Sequence, residues 1–258
     1  MHLGGTATYS ASRVISILEL ILISCPKKVQ CNVCDWTGRR FLSDSWHKHI
    51  KCPKCHSRVR HRLFFAALRQ IGDISFEKVI DNKRILHFAP ERIISEHIRN
   101  RATYYATTDF LQSDCDFRLD ICNMPEIENE SFDTVIAFDV LEHVPNYQKA
   151  LEETYRILSP MGYGIFTVPQ KDNLSVTYDD PSIVSPEDRM KHFGQQDHFR
   201  IFGDDFPKSL ENKGFVVTIV NESIFSLEIT ERHVLSPHVL SKHPLATNYR
   251  KVFFAQKS

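Results

Sequence analysis

Two cysteine pairs constrain this chain more than any other feature. Cys31-Asn32-Val33-Cys34 and Cys52-Pro53-Lys54-Cys55 are separated by 17 residues. Each pair forms a tight turn that can aim two sulfurs at one centre. Two such turns at this spacing predict a tetrahedral four-thiolate site for Zn²⁺. Four thiolates close the coordination sphere, so the metal is expected to be structural rather than catalytic. The stretch is too short to bury a large core of its own, which strengthens the expectation. His47 and His49 lie between the pairs and are expected to be solvated or to sit around the site. Cys25, Cys115 and Cys122 have no matching partners and read as ordinary core or surface thiols. Cysteines used this way do not form a disulfide framework, so the expected compartment is the reducing cytoplasm.

Charge divides the chain at the same place. The 258 residues carry 32 Lys+Arg against 32 Asp+Glu. Residues 27–69 hold eleven Lys/Arg and two acids, a surplus of nine positive charges, and residues 70–258 carry the compensating nine negative ones. A neutral total argues against a globally basic nucleic-acid binder, but here it conceals a basic module joined to an acidic one. Residues 57–68 read as a helix with a basic start, Arg58, Arg60 and Arg62, and an apolar continuation. Those arginines suit either an anionic ligand or the acids of the following domain, and the compensating charge favours the second. Residues 14–23 are the one continuous apolar stretch. It is about half the ~20 residues that span a bilayer, and Glu19 interrupts it, so no transmembrane segment is expected. Val14, Ile17, Leu18, Ile21 and Leu22 fall at helical spacing, which predicts an amphipathic helix packed on the rest of the protein.

From Lys83 onward, short apolar runs alternate with helical stretches, the pattern of an α/β domain with a parallel sheet. Strands are predicted at 84–89, 103–108, 116–119, 132–138, 163–168, 215–220 and 252–255. Helices are predicted after Pro90 and at 147–158 and 205–213, with a turn at 159–162. An open parallel sheet binds ligands beyond the carboxyl ends of its strands. Asp109 ends the second strand, where an acid can hold two ribose hydroxyls. Asp120 ends the third, where an acid can accept from an adenine amino group. Together they favour an adenosine ligand, although either alone also reads as a cap or turn residue.

Ser131-Phe132-Asp133-Thr134-Val135-Ile136-Ala137, then Asp139-Val140-Leu141-Glu142-His143-Val144, then Tyr155-Arg156-Ile157-Leu158-Ser159-Pro160-Met161-Gly162-Tyr163 resemble the middle of class I S-adenosylmethionine-dependent methyltransferases of the type 11 group. A bacterial branch is similar through Leu86-His87-Phe88-Ala89-Pro90-Glu91, Thr177-Tyr178-Asp179-Asp180-Pro181 and Phe193-Gly194-Gln195-Gln196-Asp197-His198-Phe199-Arg200. The resemblance covers about residues 30–258. It implies a Rossmann-like sheet, mostly parallel with an antiparallel last strand, behind a small zinc module. It also implies three regions: an N-terminal segment 1–26, a zinc module with connector helix 27–72, and a methyltransferase domain 73–258 with an insertion at 171–203. The cofactor implied is S-adenosylmethionine, held by His87, Phe88, Ala89, Glu91, Asp109, Phe110, Asp120, Ile121 and Phe138. The family usually has an acid and a glycine-rich loop after its first strand. Here His87 takes the place of the acid, and Ala89 and Glu91 replace glycines. The expectation is that the cofactor's methionine end is held differently, with Glu91 meeting its ammonium group.

Methyl transfer needs a positioned acceptor, exclusion of water and, for a hydroxyl acceptor, a base. The polar insertion 171–203 is long enough to be a lid or binding element. Within it, His198 beside Asp197 is a candidate base, with His143 after the fourth strand as another. Tyr178, Asp179, Gln195 and Arg200 are the candidate acceptor-binding residues, with Arg200 suited to an acidic group. Three functions compete. The first is methyl transfer to oxygen or nitrogen on a small-molecule or glycan-type acceptor. The second is an RNA methyltransferase gripping its substrate with the basic module, where Trp36, Phe41 and Trp46 would stack on bases. The third is a non-catalytic binding protein that keeps the fold.

Overall fold

The computed structural model describes residues 29–111 and 114–258. The amphipathic helix expected at 14–22 and Cys25 lie outside the described residues. The described residues begin with a small antiparallel ribbon, β1 (Val29–Gln30) against β2 (Thr37–Gly38). A loop then leads to α1 (Val59–Gln70), the helix expected from the apolar continuation of the basic run. A short helix, α2 (Phe76–Val79), precedes the central sheet.

That sheet contains β3 (Arg84–Phe88), β4 (Tyr104–Thr108), β5 (Phe132–Phe138), β6 (Leu158–Thr167), β9 (Phe215–Val220) and β10 (Val252–Lys257), in the order β4-β3-β5-β6-β10-β9. The pairings among β3, β4, β5 and β6 are parallel, and β10 runs antiparallel to both β6 and β9. This is the expected Rossmann-like sheet. Helices α3 (Arg92–Ile98) and α4 (Tyr147–Ile157) are the crossovers, and α6 (Phe206–Glu211) precedes β9. The insertion holds α5 (Pro186–Phe193) and a two-residue ribbon of β7 (Tyr178–Asp179) with β8 (Arg200–Ile201). A last helix, α7 (Leu227–His233), returns to the front of the molecule.

Strand alternation builds two cores. Leu86, Val135, Ala137, Phe166 and Phe253 face one way and bury Leu151 of α4 and Phe206 of α6. Ile85, Ile136, Phe138, Ile165 and Phe254 face the other way, and α1 covers them. Phe64 of α1 meets Phe138 edge-on at 5.3 Å and stacks on Phe254 at 6.2 Å. The same buried cluster continues through Val59, Phe41 and Cys31 into the cysteine module. The helix expected as a connector therefore also serves as a core layer of the α/β half.

Two sequence expectations change. The strand at 116–119 is reduced to a single parallel bridge from Thr108 to Phe117. Asp116 explains the loss. Its carboxylate accepts the backbone N–H of Thr107 at 2.8 Å and its hydroxyl at 2.7 Å, displacing the regular strand pairing there. The turn expected at 159–162 is instead a bulge within β6. Phe132 pairs with Leu158, but Thr134 already pairs with Tyr163, and Met161 takes the slack with φ +63°.

Candidate functional site

The cysteine pairs form two knuckles of the same construction. In the first, Asp35 N–H donates to the Cys31 carbonyl at 2.9 Å and Cys31 N–H to the Trp36 carbonyl at 2.8 Å. In the second, His56 N–H donates to Cys52 O at 3.0 Å and Cys52 N–H to Ser57 O at 2.9 Å. Asp35 and His56 both take left-handed backbone, with φ +59° and +61°. The two knuckles bring all four ligand atoms within 4.8 Å of one another, with Sγ–Sγ distances of 3.6 Å for Cys31–Cys55 and 3.7 Å for Cys34–Cys52. A tetrahedron of sulfurs at the Zn–S bond length has edges of roughly 3.8 Å. The donor set and spacing therefore fit zinc.

A second centre lies beyond the carboxyl ends of the strands. The chain leaves β3 towards β4 on one side and returns to β5 on the other, so the crevice between β3 and β5 is the sheet's switch point. A left-handed residue follows each of these strands: Ala89 with φ +44° and Asp139 with φ +50°. Each bends its loop and ties it to the next strand. Ala89 N–H donates to Thr108 O, and Asp139 N–H to Thr167 O, both at 2.9 Å. Left-handed backbone disfavours a side chain. Ala89 thus keeps the kink that glycine usually supplies there.

The crevice opens into a cleft of about 520 Å³. Of the residues expected to hold the cofactor, Phe88, Ala89, Asp109, Phe110, Asp120 and Ile121 line it. The Asp109 carboxylate also accepts from Leu111 N–H at 2.7 Å. Three of the expected residues lie elsewhere. His87 alternates to the opposite face of β3, where its Nδ1 meets the Tyr105 hydroxyl at 2.7 Å and burial lowers its pKa to about 4. Phe138 points into the α1 layer. Glu91 closes on Arg60 and on His61 Nε2, the latter at 2.7 Å, so its carboxylate is already matched and is not free for an ammonium group. Burial would raise the Glu91 pKa, but these two partners outweigh it and hold it at about 2.

A second cavity, of about 430 Å³, adjoins the cleft and shares Asp139 and His143 with it. Its walls come from three parts of the chain: the cysteine module (Trp46, His47, Arg58, Arg60), the insertion (Gln195, His198) and the C-terminal segment (Arg250). Gly194 makes the junction possible. Its φ is +88°, and a Cβ there would sit 2.9 Å from the Trp46 ring. Asp139 is the shared hub, held by Arg60, Arg250 and the Thr167 hydroxyl. Burial would raise its pKa, and the two guanidinium groups push it well below the usual carboxylate range.

The candidate base residues meet here in an unexpected pairing. Asp197 contacts His143, Oδ2 to Nδ1 at 2.9 Å, and not its chain neighbour His198. His198 directs Nδ1 to the Phe193 carbonyl at 3.2 Å and packs edge-on against His143 at 4.6 Å. Burial, then the neighbouring His143, lowers the His198 pKa to about 4. Beside them Glu142 is buried, and desolvation followed by Asp139 raises its pKa well above normal. Ligand atoms of Glu142, His143 and His198 all lie within 4.8 Å of one another.

The insertion's other expected acceptor contacts divide. Gln195 lines the 430 Å³ cavity. Arg200 is fully buried and structural: it meets Asp179 at 2.7 Å and the carbonyls of Leu141, Val144 and Pro145. Its guanidinium is thereby committed to pinning the insertion over the turn after β5, and Asp179 is its counter-ion. Tyr178 bonds His192 at 3.1 Å and lines a separate surface cavity. Neither Arg200, Asp179 nor Tyr178 lines the cleft or the cavity beside it. Sequence reading named Trp46 only as a base-stacking residue, His47 only as a neighbour of the cysteines and Arg60 only within the basic run. It missed Arg250, which no local pattern marks.

Comparison with known proteins agrees with this geometry. Residues 72–166 match the family described as a methyltransferase domain. No curated protein matches the chain. Among solved structures, an S-adenosylmethionine-dependent methyltransferase from Mesorhizobium loti is similar with a TM-score of 0.50 at 15% identity, covering 77% of this chain and 100% of that one. A 1,6-didemethyltoxoflavin-N1-methyltransferase from Burkholderia thailandensis has a TM-score of 0.49 at 12% identity, covering 78% of each. Residues 72–166 thus match a methyltransferase domain, and the described residues have the fold of the class I S-adenosylmethionine-dependent methyltransferases.

Proposed function

We propose that the chain is an S-adenosylmethionine-dependent methyltransferase whose cofactor occupies the 520 Å³ cleft and whose acceptor occupies the adjoining cavity. The observation that carries this reading is the contact between the two spaces through Asp139 and His143. The cofactor, when bound, would supply an activated sulfonium methyl group. Asp109 and Asp120 would hold its sugar and base ends, and the left-handed kink at Ala89 would let the backbone approach it. Asp197 orients His143 through Nδ1, which leaves Nε2 as the basic nitrogen at the boundary of the two spaces. We further assign the four cysteines to structural Zn²⁺, on their spacing and donor chemistry.

The basic run supports a small-molecule or glycan-type acceptor over RNA. Arg58 closes on Asp44, Arg60 on Glu91 and Asp139, and Arg62 on the carbonyls of Ser57, His233 and Val234. A phosphate backbone would find these cations already matched.

Asp109→Ala is expected to weaken S-adenosylhomocysteine binding on the order of a hundredfold, by removing a charge-assisted contact in a partly desolvated cleft. Isothermal calorimetry checks it. Wild-type protein that takes up no S-adenosylhomocysteine would refute the reading.

A further inference from the structure

The cavity beside the cleft concentrates buried polar atoms that have no protein partner. His47 Nε2, Arg60 Nε, Glu142 Oε2 and His198 Nε2 all belong to residues of its wall. Buried polar atoms are normally satisfied by protein or water, so a cluster of them around one space describes what that space can bind.

The hydrogen-bonding polarity of these atoms narrows the ligand. His198 uses Nδ1 on the Phe193 carbonyl, so Nδ1 carries the proton and Nε2 can only accept. His47 turns Nδ1 towards Asp44 at 3.8 Å, which favours the same tautomer and again leaves Nε2 an acceptor. Burial lowers the pKa of both rings, which favours their neutral forms. Glu142, with its pKa raised by burial, can donate as a neutral acid, and Arg60 Nε–H donates. The wall therefore wants groups that both donate and accept, which is the behaviour of hydroxyls. An acceptor-only anion would set lone pairs against both imidazoles. The cations offer it little compensation, because Arg58, Arg60 and Arg250 are already closed on carboxylates.

We propose that this cavity binds a neutral polyhydroxylated acceptor, a sugar residue, and that one of its hydroxyl oxygens is methylated. The proposal rests on the methyltransferase reading above and narrows its acceptor. The volume of about 430 Å³ lies within the usual range for small-molecule sites. Trp46 adds an aromatic side chain to the wall, its ring packed against His243 at 4.3 Å. In the step, the acceptor hydroxyl oxygen forms a bond to the methyl carbon as the carbon–sulfur bond breaks. The bonding pair leaves with sulfur, giving the neutral thioether, and the hydroxyl proton passes to His143 Nε2. Because Trp46, His47 and Arg60 belong to the cysteine module and its helix, that module forms part of the acceptor site.

The test uses the full chain with its metal and saturating S-adenosylhomocysteine. Methyl glycosides of the common hexoses, pentoses and 6-deoxyhexoses are titrated beside inorganic phosphate and uridine monophosphate. Saturation-transfer NMR is the readout. At least one neutral glycoside is expected to receive saturation, with binding weakened tenfold or more in His47→Ala and His198→Ala. Retained S-adenosylhomocysteine binding shows that each variant is folded. Response to phosphate or nucleotide alone overturns the proposal, as does silence from every glycoside. A second metal ion, bound by wild type and lost in His198→Ala, also overturns it by assigning Glu142, His143 and His198 to a cation. Absence of S-adenosylhomocysteine binding is a separate result, and strikes the methyltransferase reading itself.

Discussion

Cys52→Ser is expected to cost the protein most of its stability. The Cys52 sulfur lies 3.7 Å from Cys34 Sγ in a cluster that fits one tetrahedral ion, and it is completely buried. Structural zinc sites contribute about 10–16 kcal/mol of apparent binding free energy in zinc-finger peptides, while a whole domain is stable by only about 5–15 kcal/mol. Loss of one ligand should therefore unfold the module rather than loosen it. The damage should also spread. Cys31, Val33, Phe41 and Cys52 share one buried cluster with α1 and with Ile85, Ile136 and Phe138 of the sheet. Metal analysis should find one zinc per wild-type chain and none firmly held by the variant. Thermal unfolding should begin far lower, and a chelator should reproduce the effect on wild type. A variant that melts with wild type, or a wild type carrying no zinc, would disprove the assignment.

The parts of this fold that were legible in the sequence are those determined by local pattern. The strand at Phe215–Val220 appears with the expected bounds, because a short apolar run between turn residues leaves little choice. The cysteine knuckles were legible because their chemistry is set by spacing. The strand at 116–119 was not, because its fate depended on where the Asp116 carboxylate would turn. A strand pattern cannot show a side chain capturing the neighbouring strand's N–H.

The site divides along the same line. Asp109 could be placed because strand ends can be counted; Asp120 also lines the cleft, although the strand expected before it is reduced to a bridge. His87 and Phe138 were misplaced because reading a residue next to a strand end does not say which face it takes. The pairing of Asp197 with His143 is a fact of tertiary structure. Sequence adjacency suggested Asp197–His198, while the turn that carries Asp197 delivers it to His143 after β5. Arg200 resembled an anion-binding residue because an arginine in a polar loop is indistinguishable from one until its carbonyl partners are assembled. The cavity proposed for the acceptor could not have been read from any one segment, since the cysteine module, insertion and C-terminal stretch meet only in three dimensions.

Arg60→Leu is expected to have the next largest effect, through the charges it leaves behind. Among the described residues, Arg60 is the one side chain joining the cysteine-module helix to Glu91 and to Asp139 together. Breaking a buried ion pair from one side typically costs about 3–5 kcal/mol, because the remaining charge stays desolvated. Asp139 keeps Arg250, but Glu91 keeps only neutral His61. His61 Nδ1 accepts from Arg58 N–H at 3.0 Å, so the ring donates to Glu91 through Nε2, and burial lowers its pKa. The consequence has a definite pH dependence. Glu91 is depressed to about 2 in the folded chain, against an ordinary value of 4.5. Its stabilising contribution is fully present above about pH 4.5 and is lost as pH falls towards 2, and a shift of this size corresponds to about 3 kcal/mol. Removing Arg60 leaves only the His61 contact to oppose burial, so the Glu91 pKa should rise and acid unfolding should begin at higher pH. Denaturant melts between pH 3 and 7 would show a lower plateau and an acid limb displaced upward. Adding Glu91→Leu should recover part of the loss by removing the stranded carboxylate. If Arg60→Leu leaves both plateau and acid limb in place, the ion pair does not hold the two halves together, and the cavity wall it supports must be held by packing alone.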